Sequence, residues 1–111
     1  MTVTDKNEVK NKQMLAMAEL FARIDSAEDF LKLFDDVCTY KELEQMALRL
    51  NCAYLLKNNC TYNGVMQKVD VSSATLSRVS RCLTHGSGGY TLALEKYGYK
   101  IDDNACEGEN K

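Results

Sequence analysis

Residues 61–83, TYNGVMQKVDVSSATLSRVSRCL, constrain the fold of this chain more than any other stretch. Apolar residues fall at Val65, Val69, Val71, Leu76, Val79 and Leu83. Before Val71 their spacing suits one short helix and a tight turn, and from Leu76 onward it suits a second helix. Between the two stand Ser72 and Ser73, whose hydroxyl oxygens can accept from the first free N–H groups of a helix. Two short helices joined by a tight turn form a helix-turn-helix unit, and the second helix of such a unit can lie in the DNA major groove.

At 111 residues and 45% apolar composition, one small domain with a modest core is expected, of a size that often gains stability by oligomerising. No apolar run approaches the roughly 18 residues of a membrane span. The start, MTVTDKNEVKNKQ, is polar and of mixed charge without the apolar core of a signal peptide, so a cytoplasmic protein with no membrane partner is expected. The five cysteines (38, 52, 60, 82 and 106) are widely spaced and form no C-x-x-C pair, and His85 is the one histidine. That pattern predicts reduced thiols and no metal site.

Helical periodicity runs through the chain. A polar N-terminus, residues 1–7, is expected to be disordered. From Glu8, Met14, Met17, Ala18, Phe21 and Ile24 define a first amphipathic helix. Ser26 with Asp29 resembles a capping box, and Phe30, Leu33, Phe34 and Val37 follow at helical spacing. Thr39-Tyr40-Lys41-Glu42 is a T-x-x-E box that should start a third helix at Tyr40, running to about Lys57. One stripe of that helix is Leu43, Met46, Ala47, Leu50, Ala53 and Tyr54, and a second is Leu48, Cys52 and Leu55. A helix apolar on two faces is buried between partners. The Asn58-Asn59 pair should end it, since Asn tolerates a left-handed cap, and Thr61 should cap a fourth helix. After the fifth, Gly86-Ser87-Gly88-Gly89 forms a corner, and Tyr90, Ala93, Leu94 and Tyr97 support a last short helix. Residues 98–111 read as a polar, acidic, disordered tail. With no period-2 segment, the fold class is all-α, about six helices, with the ordered domain at 8–97 and the helix-turn-helix at 61–83.

Charge is polarised. The chain carries a net −2, yet residues 57–86 hold Lys57, Lys68, Arg78 and Arg81 against Asp70 alone, while residues 25–46 hold seven acidic residues against two lysines. A DNA reader can be acidic overall with a basic contact face. On the second helix of the unit, 100° per residue places Leu76, Val79, Ser80 and Leu83 on one face and Ala74, Ser77, Arg78 and Arg81 on the other. Small and hydroxylated residues permit close approach to base edges, and arginine can pair with guanine or phosphate. An enzyme is disfavoured. Cys82 and His85 lack an orienting third group, and the adjacent Asp35 and Asp36 diverge on a helix.

Residues 34–50 (FDDVCTYKELEQMALRL), 72–83 (SSATLSRVSRCL) and 85–96 (HGSGGYTLALEK) resemble the trp repressor superfamily. The similarity extends from about Met14 to Tyr97, and within the superfamily it is strongest to the trp-repressor-like YerC/YecD branch. The resemblance implies an intertwined all-helical homodimer whose two reading units enter successive major grooves about 34 Å apart. Trp repressor is itself a standard example of that docking, so the spacing is inherited with the resemblance and not read from the residues. It implies a sequence-specific DNA-binding transcription regulator, a repressor, whose partners are double-stranded DNA and a second copy of itself. Phosphate contacts fall to Lys57, Thr61, Asn63 and Lys68, and base-edge reading to Ser72, Ser73, Ala74, Ser77 and Arg78, with Arg81 on the same cationic face. The alternative is a protein-interaction or dimerisation module of the same fold with weak or lost DNA binding.

The resemblance also matches Arg49 and Arg78 to the two arginines that sandwich tryptophan in trp repressor. The family's small glycine beside the second arginine is matched by Val79, and a nearby serine by Cys82. The Val79 isopropyl group is expected to fill the slot, so no cofactor is expected and tryptophan is not expected to bind. Arg49 is then expected to pair with an acidic side chain. The branch usually carries a basic residue at position 63, alanine at 66 and glycine at 70. Asn63, Met66 and Asp70 are therefore expected to weaken phosphate contact and to splay the unit.

Overall fold

The structure, a computed structural model, describes residues 5–101. Its elements are helices α1 (Lys6–Arg23), α2 (Ala27–Val37), α3 (Tyr40–Lys57), α4 (Tyr62–Lys68), α5 (Ser73–His85) and α6 (Gly89–Thr91). The last passes directly into a π-helical segment, Leu92–Lys96. Among the described residues there is no strand, and the all-α class holds. The termini, residues 1–4 and 102–111, lie outside the described residues, and with them most of the expected tail.

Side-chain oxygens set the helix starts. Asp5 accepts from the Asn7 N–H at 2.9 Å, so α1 begins two residues before the Glu8 expected from periodicity. Ser26 accepts from the Asp29 N–H and Thr61 from the Gly64 N–H at 2.9 Å. Each satisfies a donor that the first helical turn leaves unpaired. The end of α3 follows the expectation for asparagine, since Asn59 takes φ 68° and the Asn58 Nδ2 donates to the Tyr54 carbonyl at 2.7 Å.

The fold divides into two compact units, the first ending at Lys41 and the second beginning at Glu42. In the first, α1 and α2 meet through three phenylalanines. Phe30 stacks on Phe34 at 4.2 Å between ring centroids, and Phe21 contacts both, at 5.9 and 5.1 Å. Offset and edge contacts of this kind add to simple apolar burial. No residue of α1 is buried. Met14 and Met17 remain 63% and 45% exposed, so the first half of the predicted apolar stripe of α1 is uncovered within one chain, while Phe21 and Ile24 are partly buried.

The second unit holds the larger core. Cys52, Ala53, Tyr54 and Leu55 are buried in succession on α3, which means that this half of the helix is covered on all sides, as its two apolar stripes predict. Around it close Cys60, Val65 of α4, and Leu76 and Val79 of α5. Leu83, Tyr90, Leu94 and Tyr99 pack at the margin. Tyr99 belongs to the stretch expected to be disordered, yet its ring meets Tyr54 edge-on at 5.9 Å. A backbone bond from the Tyr99 N–H to the Ala93 carbonyl at 2.8 Å ties it down. Cys38, Cys52 and Cys82 are free thiols. Cys60 is disulfide-bonded, so the expectation of reduced thiols fails there, because spacing along the sequence does not fix which thiols meet in the fold.

Candidate nucleic-acid interface

The helix-turn-helix is built as its residues suggest, with an easier turn. Val65, Leu76 and Val79 are 0–1% exposed and share one core with the partly buried Val69 and Val71. They fix α4 against α5. The end of α4 is extended at Val69, φ −136° and ψ 151°. Asn59 is the one described non-glycine residue with positive φ, so Asp70 meets no left-handed strain. Met66 is 37% exposed and stays out of the α4–α5 core, where bulk would splay the pair.

Ser72 caps α5, its Oγ accepting from the Thr75 N–H at 3.1 Å. Its hydroxyl also donates to Thr75 Oγ1 at 3.1 Å. Neither α4 nor α5 carries an acidic residue in its first turn, whereas α1, α2 and α3 all do. The partial positive charge at a helix start is therefore left uncompensated on the two helices of this unit. Lys57, Thr61, Asn63, Lys68, Ser72, Ser73, Ala74, Ser77, Arg78 and Arg81 are all exposed. On α5 the pattern Ser77-Arg78 out, Val79 in, Arg81 out follows the helical wheel drawn from the sequence. Lys57 has a competitor: its Nζ lies 3.1 Å from Glu95 Oε2, with both side chains about half exposed. Exposed pairs of this kind are worth about 0–1 kcal/mol.

Behind the reading face lies a cavity of about 400 Å³, lined by Arg49 of α3, by Ala74, Thr75, Arg78, Val79 and Cys82 of α5, and by Tyr90. The structure thus brings Arg49 and Arg78 to one space. Val79 forms a wall of it at 1% exposure, narrowing the space without closing it. Among the described residues no ion pair joins Arg49 to a carboxylate; it turns to the cavity it shares with α5 instead. Tyr90 and Thr75 are lining residues that sequence reasoning missed. Thr75 was hidden by its role in the helix start, and Tyr90 by its place after a glycine corner whose direction periodicity does not give. Burial pushes the Tyr90 phenol above its usual range, with Cys82 adding to the rise and Arg49 and Arg78 opposing it.

A compact all-α core presenting an exposed, cationic second helix from a helix-turn-helix defines the class as a DNA-binding regulator fold. Residues 12–97 match the model of the Trp repressor protein family, and the chain belongs to that family. It is similar to the uncharacterized protein YerC of Bacillus subtilis, 31% identical over 90 residues, covering 81% of this chain and 86% of YerC. This places it in the trp-repressor-like YerC branch. Two crystal structures share the fold at a TM-score of 0.77. One is of a protein assigned as a Trp repressor from Staphylococcus aureus, 26% identical, covering 90% of this chain and all of that one. The other is a TrpR-like protein from Eubacterium eligens, 28% identical, covering 87% and all of that chain. The family is one of regulators and not of enzymes. No helix among the described residues is long and apolar enough to cross a membrane.

Proposed function

We propose that this protein is a sequence-specific DNA-binding transcription regulator, a cytoplasmic repressor that acts as a homodimer and has no catalytic role. The observation that carries the proposal is α5, which buries Leu76 and Val79 while leaving Ser73, Ala74, Ser77, Arg78 and Arg81 exposed. In this reading Ser72, Ser73, Ala74, Ser77 and Arg78 meet base edges. Lys57, Thr61, Asn63, Lys68 and Arg81 hold phosphates and set the register. The uncompensated helix starts of α4 and α5 favour the same anions.

Selection of binding sequences from random DNA tests this reading, followed by gel shifts across a salt series. An imperfect palindrome is expected, with affinity that falls steeply with log salt and survives competitor DNA. Binding that vanishes with competitor would favour the alternative, a dimerisation module of the same fold. The Lys57–Glu95 pair supports that alternative, since it already occupies one of the phosphate-directed cations.

Arg49 and Arg78 belong in this reading to an effector site. In this reading tryptophan is not its occupant, because the Val79 isopropyl group narrows the space beside Arg78. Calorimetry is expected to give no micromolar heat with tryptophan, and a micromolar affinity would overturn this assignment.

A further inference from the structure

The cavity behind the reading face is lined by two guanidinium groups and no carboxylate. We propose that it binds a short aliphatic dicarboxylate, and that this ligand weakens DNA binding as an inducer does. The binding half stands on the cavity alone, while the effect on DNA rests on the function proposed above.

Charge selects the ligand. Arg49 of α3 and Arg78 of α5 both line the space, and neither is paired with a carboxylate among the described residues. Each guanidinium can hold a carboxylate through two parallel N–H donors. Two such forks, carried by different helices, call for a ligand with two carboxylates. An amine would meet two like charges and no counter-ion. Neutral donors complete the set. Thr75 Oγ1 accepts from the Ser72 hydroxyl at 3.1 Å, which leaves the Thr75 proton for an acceptor in the cavity. Burial raises the Tyr90 phenol, so near neutral pH it stays an O–H able to donate.

Shape then limits what joins the two carboxylates. Ala74 and Val79 present methyl groups to the space, which suit a hydrocarbon spacer and offer nothing to the remaining oxygens of a phosphate. At about 400 Å³ the cavity stands near the lower end of ligand pockets, on the order of 300–1,000 Å³. Val79 narrows it further beside Arg78. A short open chain fits such a space better than a fused ring.

The effect on DNA comes through Arg78, which belongs to both surfaces. It is exposed on α5 between Ser77 and Arg81, and it also lines the cavity. A guanidinium whose fork is closed on a ligand carboxylate is lost to a guanine edge or a phosphate. Residues 57–86 set Lys57, Lys68, Arg78 and Arg81 against Asp70, so a bound dianion cancels much of the local charge that attracts DNA.

Titration of the full chain with succinate at constant ionic strength, followed by amide NMR without DNA, tests the site. Saturable shifts centred on Ala74, Thr75, Cys82 and Tyr90 are expected. Monomethyl succinate, putrescine and inorganic phosphate should each bind about tenfold more weakly or worse, since they lack a carboxylate, the negative charge or the spacer. Arg49→Gln should weaken succinate by a similar factor. Non-saturating shifts, or monomethyl succinate or phosphate binding as tightly as succinate, would overturn the proposal. The ester comparison decides it even if Arg49→Gln fails to fold. Gel shifts on the selected DNA site then read the coupling. Saturating succinate should lower DNA affinity about tenfold, the order of one bidentate arginine contact to a base. Succinate that binds yet leaves DNA affinity unchanged, or raises it, rejects the inducer role. A chain that binds succinate but no DNA sequence sinks the function proposed above and the coupling with it, whereas DNA binding without a succinate site sinks this inference alone.

Discussion

Gly86 shows how tightly a single position can be set. It caps α5 with its N–H donated to the Cys82 carbonyl at 3.0 Å. A Cβ built there would run into that same carbonyl oxygen and lie 3.0 Å from the Cys82 Cα. Both obstacles are backbone, so neither can turn aside. Gly86→Ala is expected to destabilise the fold by about 1–3 kcal/mol, as overpacking against fixed atoms does, read as a lowered midpoint in urea. Ala at Gly89, where a Cβ meets nothing within 4 Å, provides the tolerated control. Titration gives a second test at this scale. Burial raises the phenols of Tyr90 and Tyr99 above 10.0, because the ionised form is the one that loses solvation. A group whose folded pKa is raised contributes stability that is complete below its unfolded pKa and is lost as pH rises through the folded value. Thermal stability should therefore fall above about pH 10. Tyr90→Phe should make that alkaline fall shallower while leaving the neutral-pH melting curve close to wild type.

At the scale of elements, Ser72 joins two roles that substitution can separate. Its Oγ caps α5, and the same residue stands at the edge of the proposed reading face. Ser72→Ala should cost about 1 kcal/mol of stability through the lost cap. Ser72→Asp keeps a capping oxygen and should restore stability, but it sets a carboxylate against the DNA backbone. Retained melting temperature with DNA binding reduced at low salt is the expected pair of results, and equal DNA affinity for wild type and Ser72→Asp would remove α5 from the interface. Much of this level was legible beforehand. Capping is a local matter of one oxygen and one N–H, so Ser26, Thr61, Ser72 and the left-handed Asn59 could be read from residue type and position. The alternation of Leu76 and Val79 against Ser77, Arg78 and Arg81 was equally local. What was not legible depends on the path of the chain in space. Asp70 stands where the branch usually carries glycine, yet the backbone is extended at Val69 and the turn needs no left-handed residue. The π-helical bonding of Leu92–Lys96, and the return of Tyr99 onto Tyr54, depend on packing against α3. No pattern in GYTLALEKYGY encodes that. The surroundings of Arg49 were hidden for the same reason: its charge was visible, but the cavity beside it forms only once α3, α5 and Tyr90 close around one space.

For the whole molecule, the uneven distribution of burial is the main clue to assembly. The unit beginning at Glu42 buries a continuous core. By contrast α1, eighteen residues long, buries none of its side chains, and Met14, Leu15, Met17 and Leu20 range from 38% to 63% exposed. An exposed apolar stripe is costly in water and marks a surface that meets a partner. Leu31 and Val37 of α2, at 54% and 63%, extend the uncovered apolar surface of this unit. The homodimer proposed for this protein would cover such a stripe, and obligate homodimers commonly bury on the order of 2,000 Å² or more of largely apolar surface. Replacing Met14 and Leu15 together by Glu leaves the buried cores untouched, since both side chains are open to solvent within one chain. In a dimer the same change would press four like charges into an apolar contact, at a cost of several kcal/mol. Sedimentation equilibrium at micromolar concentration is expected to give twice the chain mass for wild type and the single-chain mass for the double variant. Binding to a palindromic site should fall with the dimer, because each half-site would then be held by one reading unit alone. If the double variant keeps the dimer mass, α1 is not at the interface; if wild type itself sediments as a single chain, the two-fold reading of the operator fails with it.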